Sequence, residues 1–107
     1  MSMDTKKQPV HEYDVSENKL IKAAREGRIS VVRKLLEQGA DANTKWDDSY
    51  AALTWAATKD HAEIVQELLN HGADVNTENS DGDTALMRAA EEGYENTVDM
   101  LKAAGAL

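Results

Sequence analysis

Residues 53–76, LTWAATKDHAEIVQELLNHGADVN, decide the fold because their pattern occurs three times along the chain. The pair Ala56-Ala57 has counterparts at Ala23-Ala24 and Ala89-Ala90, 33 residues away on either side. The same interval separates three further series: Leu35, Leu68 and Leu101; Val32, Val65 and Val98; Gly39, Gly72 and Gly105. A fixed period of this length indicates stacked repeats, since one short unit cannot bury its own apolar face.

Each unit is predicted to form two helices. Leu53, Ala56 and Ala57 are spaced i, i+3 and i+4, which makes one narrow apolar stripe on the first helix. Residues 64–69 carry a wider stripe on the second helix. Gly72 follows at once, as expected of a glycine that ends a helix in the left-handed conformation.

The connections between helices are polar and rich in glycine. Gly27 and Gly93 occupy the short link inside the first and third units, where the middle unit has Asp60. Asp tolerates a positive φ better than most residues, but less well than Gly. Residues 78–83, ENSDGD, predict a turn, because Asn and Asp side chains bond the local backbone and Gly accepts positive φ.

The motif at residues 84–90, TALMRAA, resembles the opening T-P-L-H-x-A motif of the ankyrin-repeat family. VQELL at 65–69 and GADVN at 72–76 resemble later parts of the same repeat. The resemblance covers about residues 13–107 and implies an all-α ankyrin-repeat solenoid of three stacked helix-turn-helix units with projecting turns. The implied domain has repeats at about 13–45, 46–78 and 79–107. The first dozen residues are polar and carry the only Pro, so we expect a flexible tail at 1–12. The sequence departs from this motif at three positions. The Pro is replaced by Lys19, Ala52 and Ala85, and the His is replaced by Ile21, Thr54 and Met87. In the turn of the middle unit, Ser49 stands where the third unit has Gly82.

The terminal units carry polar residues that predict caps. Thr97 and Lys102 replace Ile64 and Leu69, at places expected to have no following repeat to cover them. In the first unit, Lys19 and Lys22 make the opening helix polar, and Val10, Tyr13 and Val15 are expected to fold over its edge. These features predict a complete three-repeat protein.

Composition excludes several classes of function. The 107 residues carry a net charge of −8, which argues against direct nucleic-acid binding because phosphates need a positive surface. The absence of Cys removes disulfides and thiolate zinc sites, and no stretch is apolar enough to serve as a signal peptide or membrane span. We therefore expect a cytoplasmic, monomeric, non-catalytic protein without cofactor or membrane contact.

Candidate chemistry along the chain is weak. His61 and His71 are ten residues apart without a metal-binding spacing, so we expect no metal site and a structural role for His61. The run at 79–83 resembles the start of a calcium loop, but Thr77 and Arg88 stand where Asp and Glu ligands belong. A solvated turn is the favoured interpretation.

Helical geometry predicts the binding surface. Trp55 lies about 200° around the helix from Leu53, which is nearly opposite the core, and Lys59 falls on the same side. The resemblance implies that first helices line a concave groove beside the projecting turns, where partners dock. Carried over by position, Arg25 and Glu26 belong to this surface in the first unit. The predicted partner-binding residues are Trp46, Asp47, Asp48, Tyr50, Trp55, Thr58, Lys59, Ser80, Asp81, Asp83, Arg88, Glu91 and Glu92.

The aromatic residues Trp46, Tyr50 and Trp55 have two interpretations. Aliphatic residues already fill the core positions, so the three rings are available as interface hot spots. Alternatively, Trp46 and Tyr50 pack under the turn and Trp55 leans on a neighbouring helix.

Two functions fit these observations. The first is a protein-interaction module that binds a partner with a basic or mixed surface through acidic turns and the first-helix face. The second is a small regulatory inhibitor that covers a basic or nucleic-acid-binding site of an enzyme. The acidity supports both, because residues 1–45 carry a net charge of +2 and residues 46–107 carry −10. An enzyme is a distant third, since it needs a clustered acid and base in a pocket.

Overall fold

A computed structural model describes residues 19–45 and 50–107 of the protein, and these two ranges contain six helices. Within these ranges there is no strand, only an isolated antiparallel bridge between Lys45 and Ala51. The helices are α1 (19–26), α2 (Ile29–Glu37), α3 (Ala52–Thr58), α4 (Ala62–Asn70), α5 (Ala85–Glu92) and α6 (Glu95–Ala103). This content agrees with the predicted all-α class.

The helices form two layers. The first helix of the middle unit, α3, packs on α5 and on its own partner α4, which in turn contacts α2 and α6. Ala56, Ala57 and Ala89 have almost no exposed surface, so small side chains allow first helices to approach closely. The largest fully buried aliphatic side chains are Leu20, Val32, Leu53, Ile64, Val65, Leu68 and Leu101.

Each second helix ends at a left-handed glycine, as the sequence predicts. Gly39, Gly72 and Gly105 have φ values of 97°, 88° and 101°. In the middle unit, the N–H of Ala73 donates to the Leu68 carbonyl at 2.9 Å, which satisfies a helix-end carbonyl in the manner of a Schellman motif. The chain can therefore reverse direction after each unit without leaving buried backbone groups unpaired.

Asparagine side chains join consecutive units. The Nδ2 of Asn43 donates to the Gly72 carbonyl at 3.0 Å, and its Oδ1 accepts from the N–H of Asp74 at 2.6 Å. One repeat later, Asn76 contacts the Gly105 carbonyl at 3.4 Å and accepts from the N–H of Leu107 at 3.0 Å. The spacing of 29 and 31 residues between partners shows that these bonds connect one repeat to the next.

Thr97 is not a cap, and this prediction was wrong. Its side chain is fully buried, like that of its counterpart Ile64, because this helix position faces the preceding repeat and not the free end. The Thr97 hydroxyl donates to Oδ1 of Asp60 at 2.9 Å. The position left open at the end of the stack is instead that of Met87, which is 53% exposed, whereas its counterpart Thr54 is 2% exposed.

The other polar end positions follow the prediction where they can be seen. Lys19, Lys22 and Lys102 are exposed. The predicted tail at 1–12 and the predicted fold of Val10, Tyr13 and Val15 over the first unit lie outside the described residues.

Candidate functional site

The predicted binding residues fall into three groups. Thr58, Tyr50, Trp55, Asp83 and Arg88 are partly buried. The exposed members are Lys59, Ser80, Asp81, Glu91 and Glu92. Trp46, Asp47 and Asp48, together with the Ser49 turn position, lie outside the described residues.

Four side chains from three repeats meet in one continuous row. The guanidinium carbon of Arg25 lies 5.3 Å from the centre of the Trp55 ring, within the range of a cation–π interaction. The Trp55 and Tyr50 rings are 5.0 Å apart between centroids and tilted by 56°. The guanidinium carbon of Arg88 lies 5.8 Å from the Tyr50 ring centre. We call these four residues the arginine–aromatic row.

The repeat register explains why the row forms. Trp55 and Arg88 occupy the same position of their first helices, 33 residues apart, with Lys22 as the first-repeat member. Because α3 packs directly on α5, equivalent positions line up side by side along one face. Tyr50, just before α3, brings its ring between Trp55 and Arg88. The contact between Arg25 and Trp55 is one that sequence analysis did not predict.

Of the two interpretations, the structure bears only on packing, and the role of Tyr50 and Trp55 as interface hot spots stays a prediction. Trp55 packs against the buried core, so it was wrong to regard its ring as surplus to packing. Neither ring is fully buried, however, and each keeps part of its surface accessible. Each ring also contacts an arginine side chain, Trp55 that of Arg25 and Tyr50 that of Arg88.

The charge of the first-helix face is mixed. Lys22, Arg25 and Lys59 contribute exposed positive charges, whereas Glu91 and Glu92 contribute exposed negative ones. The acidity therefore does not extend over the whole of this face.

The third-repeat side of the row contains an ion pair. The Nη1 of Arg88 lies 2.8 Å from Oε1 of Glu91, in an i, i+3 pair on α5. The Nε of Arg88 is buried and has no hydrogen-bond partner among the described residues. The Arg88 guanidinium is thus held by Glu91 and by the Tyr50 ring, and its charge is largely balanced.

Beside the row, residues 79–83 form the turn that the sequence predicts. The Oδ1 of Asn79 accepts from the N–H groups of Asp81 and Asp83 at 2.9 and 3.0 Å, and Gly82 has a φ of 81°. The exposed side chains of Ser80 and Asp81 project from a turn that its own hydrogen bonds fix.

His61 joins the first two repeats away from the row. Its Nε2 lies 3.2 Å from the carbonyl oxygen of Arg25, and its ring fills the space beside Gly27. These contacts agree with the structural role expected for His61.

Comparison with protein families decides the identity of the repeat. A family model described as ankyrin repeats (3 copies) matches residues 20–106. The chain belongs to the ankyrin-repeat family. This result confirms the resemblance found in the sequence, and it makes α1 to α6 the helices of three ankyrin repeats. No curated protein matches this chain closely enough to count as a relative.

Ankyrin repeats are generally protein–protein interaction modules and are typically non-catalytic. Within 19–45 and 50–107, no three His, Cys, Asp or Glu side chains come together as a metal-binding group. In the same two ranges, no helix is both long and apolar enough to cross a bilayer.

Proposed function

We propose that this ankyrin-repeat protein is a non-catalytic interaction module whose protein partner docks on the arginine–aromatic row and on the neighbouring turn at 79–83. The observation that supports this proposal is the row itself, which draws Arg25, Trp55, Tyr50 and Arg88 from three repeats into one connected surface. Arg, Tyr and Trp are the residues that most often dominate the free energy of protein binding.

The row is suited to binding because its side chains already contact one another in the free protein. Fixing a mobile side chain on binding costs roughly 0.5–1.5 kcal/mol, and contacts made in the free protein reduce that cost. Trp55 and Tyr50 restrain each other, and each is in turn restrained by an arginine. A partner can therefore bury their accessible ring surface without first having to order it.

The mixed charge of the face is consistent with a partner that has a mixed surface. Exposed Lys22 and Arg25 favour acidic groups on the partner, and exposed Glu91 and Glu92 favour basic groups. Trp46, Asp47 and Asp48 are proposed to extend this surface on the strength of their sequence positions alone.

Affinity capture tests this proposal. The intact chain and the variants Trp55→Ala and Arg25→Ala are immobilised, incubated with a lysate of the source organism, and the bound proteins are quantified by mass spectrometry. A Glu63→Ala variant is the control, because Glu63 is exposed on α4, a second helix. Thermal unfolding followed by circular dichroism checks that every variant is folded.

We expect one protein to be captured by the wild type and the control but depleted with both row variants. The Arg25 variant matters here because Arg25 is exposed, so its loss should leave the fold intact. Equal capture by all four proteins, or loss only with Glu63→Ala, would place the binding surface elsewhere.

A further inference from the structure

The charges on the first-helix face change sign along the stack. Exposed Lys22 and Arg25 lie on α1, whereas exposed Glu91 and Glu92 lie on α5 at the other end. In the shared repeat register Lys22 is the counterpart of Arg88, Arg25 of Glu91 and Glu26 of Glu92, and α3 packs on α5, so these residues lie on one face. The aromatic part of the row, with Trp55 of α3 at its centre, lies between the two charged ends.

Local ion pairs sharpen this separation of charge. On the first-repeat side, Nε of Arg28 donates to Oε1 of Glu26 at 2.9 Å. The charges of Arg28 and Glu26 therefore cancel, and the positive charges of Lys22 and Arg25 remain. On the third-repeat side, Glu91 is balanced by Arg88 at 2.8 Å, which leaves the charge of Glu92.

The turn beside α5 adds to the negative end. Asp81 and Asp83 belong to the turn at 79–83, and Asp81 is exposed. Asp83 is partly buried, and its backbone N–H donates to Oδ1 of Asn79 at 3.0 Å, which fixes its backbone in the turn. The first-helix face is therefore positive at the first repeat, aromatic with the single exposed cation Lys59 in the middle, and negative at the third repeat.

We propose that the partner presents a single protein segment with the complementary order of side chains. An acidic side chain lies at Lys22 and Arg25, an apolar or aromatic side chain covers Trp55 and Tyr50, and a basic side chain lies at Glu92. The proposal rests on the proposed function and adds the chemistry and the direction of the bound segment. Charge complementarity fixes the direction, because the reverse placement brings like charges together at both ends.

Selection from a random twelve-residue peptide library displayed on phage tests this order of charges. The baits are the intact wild-type chain and two variants that reverse one end each, Arg25→Glu and Glu92→Lys. The matched controls, Lys34→Glu and Glu63→Lys, make the same changes of charge at exposed positions of the second helices α2 and α4.

The wild type and both controls should select peptides in which an acidic and a basic residue flank an apolar or aromatic one. Arg25→Glu should lose the acidic preference alone, and Glu92→Lys should lose the basic preference alone. A synthetic peptide taken from the wild-type selection should bind each of these two variants about 10-fold more weakly in fluorescence anisotropy. Replacing its acidic residue by Lys should restore affinity for Arg25→Glu.

Three results would overturn the inference: selection of no peptide, selection of uncharged peptides, or the same consensus with every bait. The capture experiment, repeated with Arg25→Glu and Glu92→Lys as additional baits, separates this failure from failure of the proposed function. A captured protein that depends on Trp55 but is indifferent to Arg25→Glu and Glu92→Lys would refute the charge order and leave the docking surface in place. Absence of any capture that depends on Trp55 would refute the proposed function itself.

Discussion

Replacing Gly27 by Ala tests the junction between the first two repeats. Gly27 has a φ of 79°, and a Cβ added there would lie 2.7 Å from Cε1 and 3.0 Å from Nε2 of His61. Contacts shorter than 3.0 Å force the neighbour to move. Gly93 is the matched control, because it occupies the same link in the third repeat with a φ of 78°, and its Cβ would meet no described atom within 4 Å.

The magnitudes follow from these two environments. Left-handed backbone costs a non-glycine residue roughly 1–2 kcal/mol, and the smaller conformational freedom of Ala in the unfolded chain returns about 0.4–1 kcal/mol. Gly93→Ala should therefore destabilise the fold by about 1 kcal/mol. Gly27→Ala should lose a further ~1–2 kcal/mol, because His61 must move and its contact with the Arg25 carbonyl at 3.2 Å is disrupted.

Urea unfolding followed by circular dichroism measures this difference directly. A domain of this size has a free energy of unfolding of roughly 5–15 kcal/mol, so losses of 1 and 2–3 kcal/mol are well separated. The same pair of glycine substitutions in a His61→Ala background should cost nearly equal amounts. Equal losses in the wild-type background would refute the proposed packing of His61 on Gly27.

Three further substitutions test the inter-repeat contacts by the same unfolding measurement. Thr97→Val should cost about 1 kcal/mol, since it removes the hydrogen bond to Asp60, and a gain in stability would show that this bond contributes nothing. Asn43→Ala removes two inter-repeat hydrogen bonds and should lower the free energy of unfolding by about 1–3 kcal/mol. A decrease below about 0.5 kcal/mol would contradict their role. Arg33→Ala breaks an exposed ion pair with Glu67 at 3.1 Å and should cost less than about 1 kcal/mol, so a larger loss would contradict its assignment as a surface contact.

The fold could be predicted because repetition makes the core positions visible. Ala56 and Leu68 recur every 33 residues, and the structure buries both of them completely. Gly72 could be recognised as a helix end for the same reason. The repeat pattern aligns Asp60 with the link glycines of the other two units, which predicts a positive φ. The observed φ of Asp60 is 60°, in agreement with this prediction.

The error at Thr97 shows what repetition does not reveal. A polar residue in the last unit suggested a cap, but periodicity alone does not say whether a position faces the preceding or the following repeat. The carboxylate of Asp60 supplies the hydrogen-bond acceptor that lets Thr97 be buried, and this partner lies 37 residues earlier. Asp60 replaces the link glycine of the other units, and Thr97 replaces the Ile of the middle unit. These two departures from the repeat thus compensate for each other.

The row was only partly predictable for a related reason. Helical geometry placed Trp55 and Arg88 on the outer face, whereas the structure leaves both partly buried and packs Trp55 against the core. Their contacts depend on side-chain rotamers, which bring Arg25 over Trp55 and Arg88 over Tyr50 across repeat boundaries. Sequence spacing carries no direct information about these rotamers.

The position of the bound partner tests the central claim most directly. Backbone amide chemical shifts of the ¹⁵N-labelled chain should be measured while the captured partner is added. We predict that the largest changes occur at Arg25, Trp55 and Arg88 and in the turn at 79–83. Changes concentrated on the second helices α2, α4 and α6, with the arginine–aromatic row unaffected, would contradict the claim that this row is the binding surface.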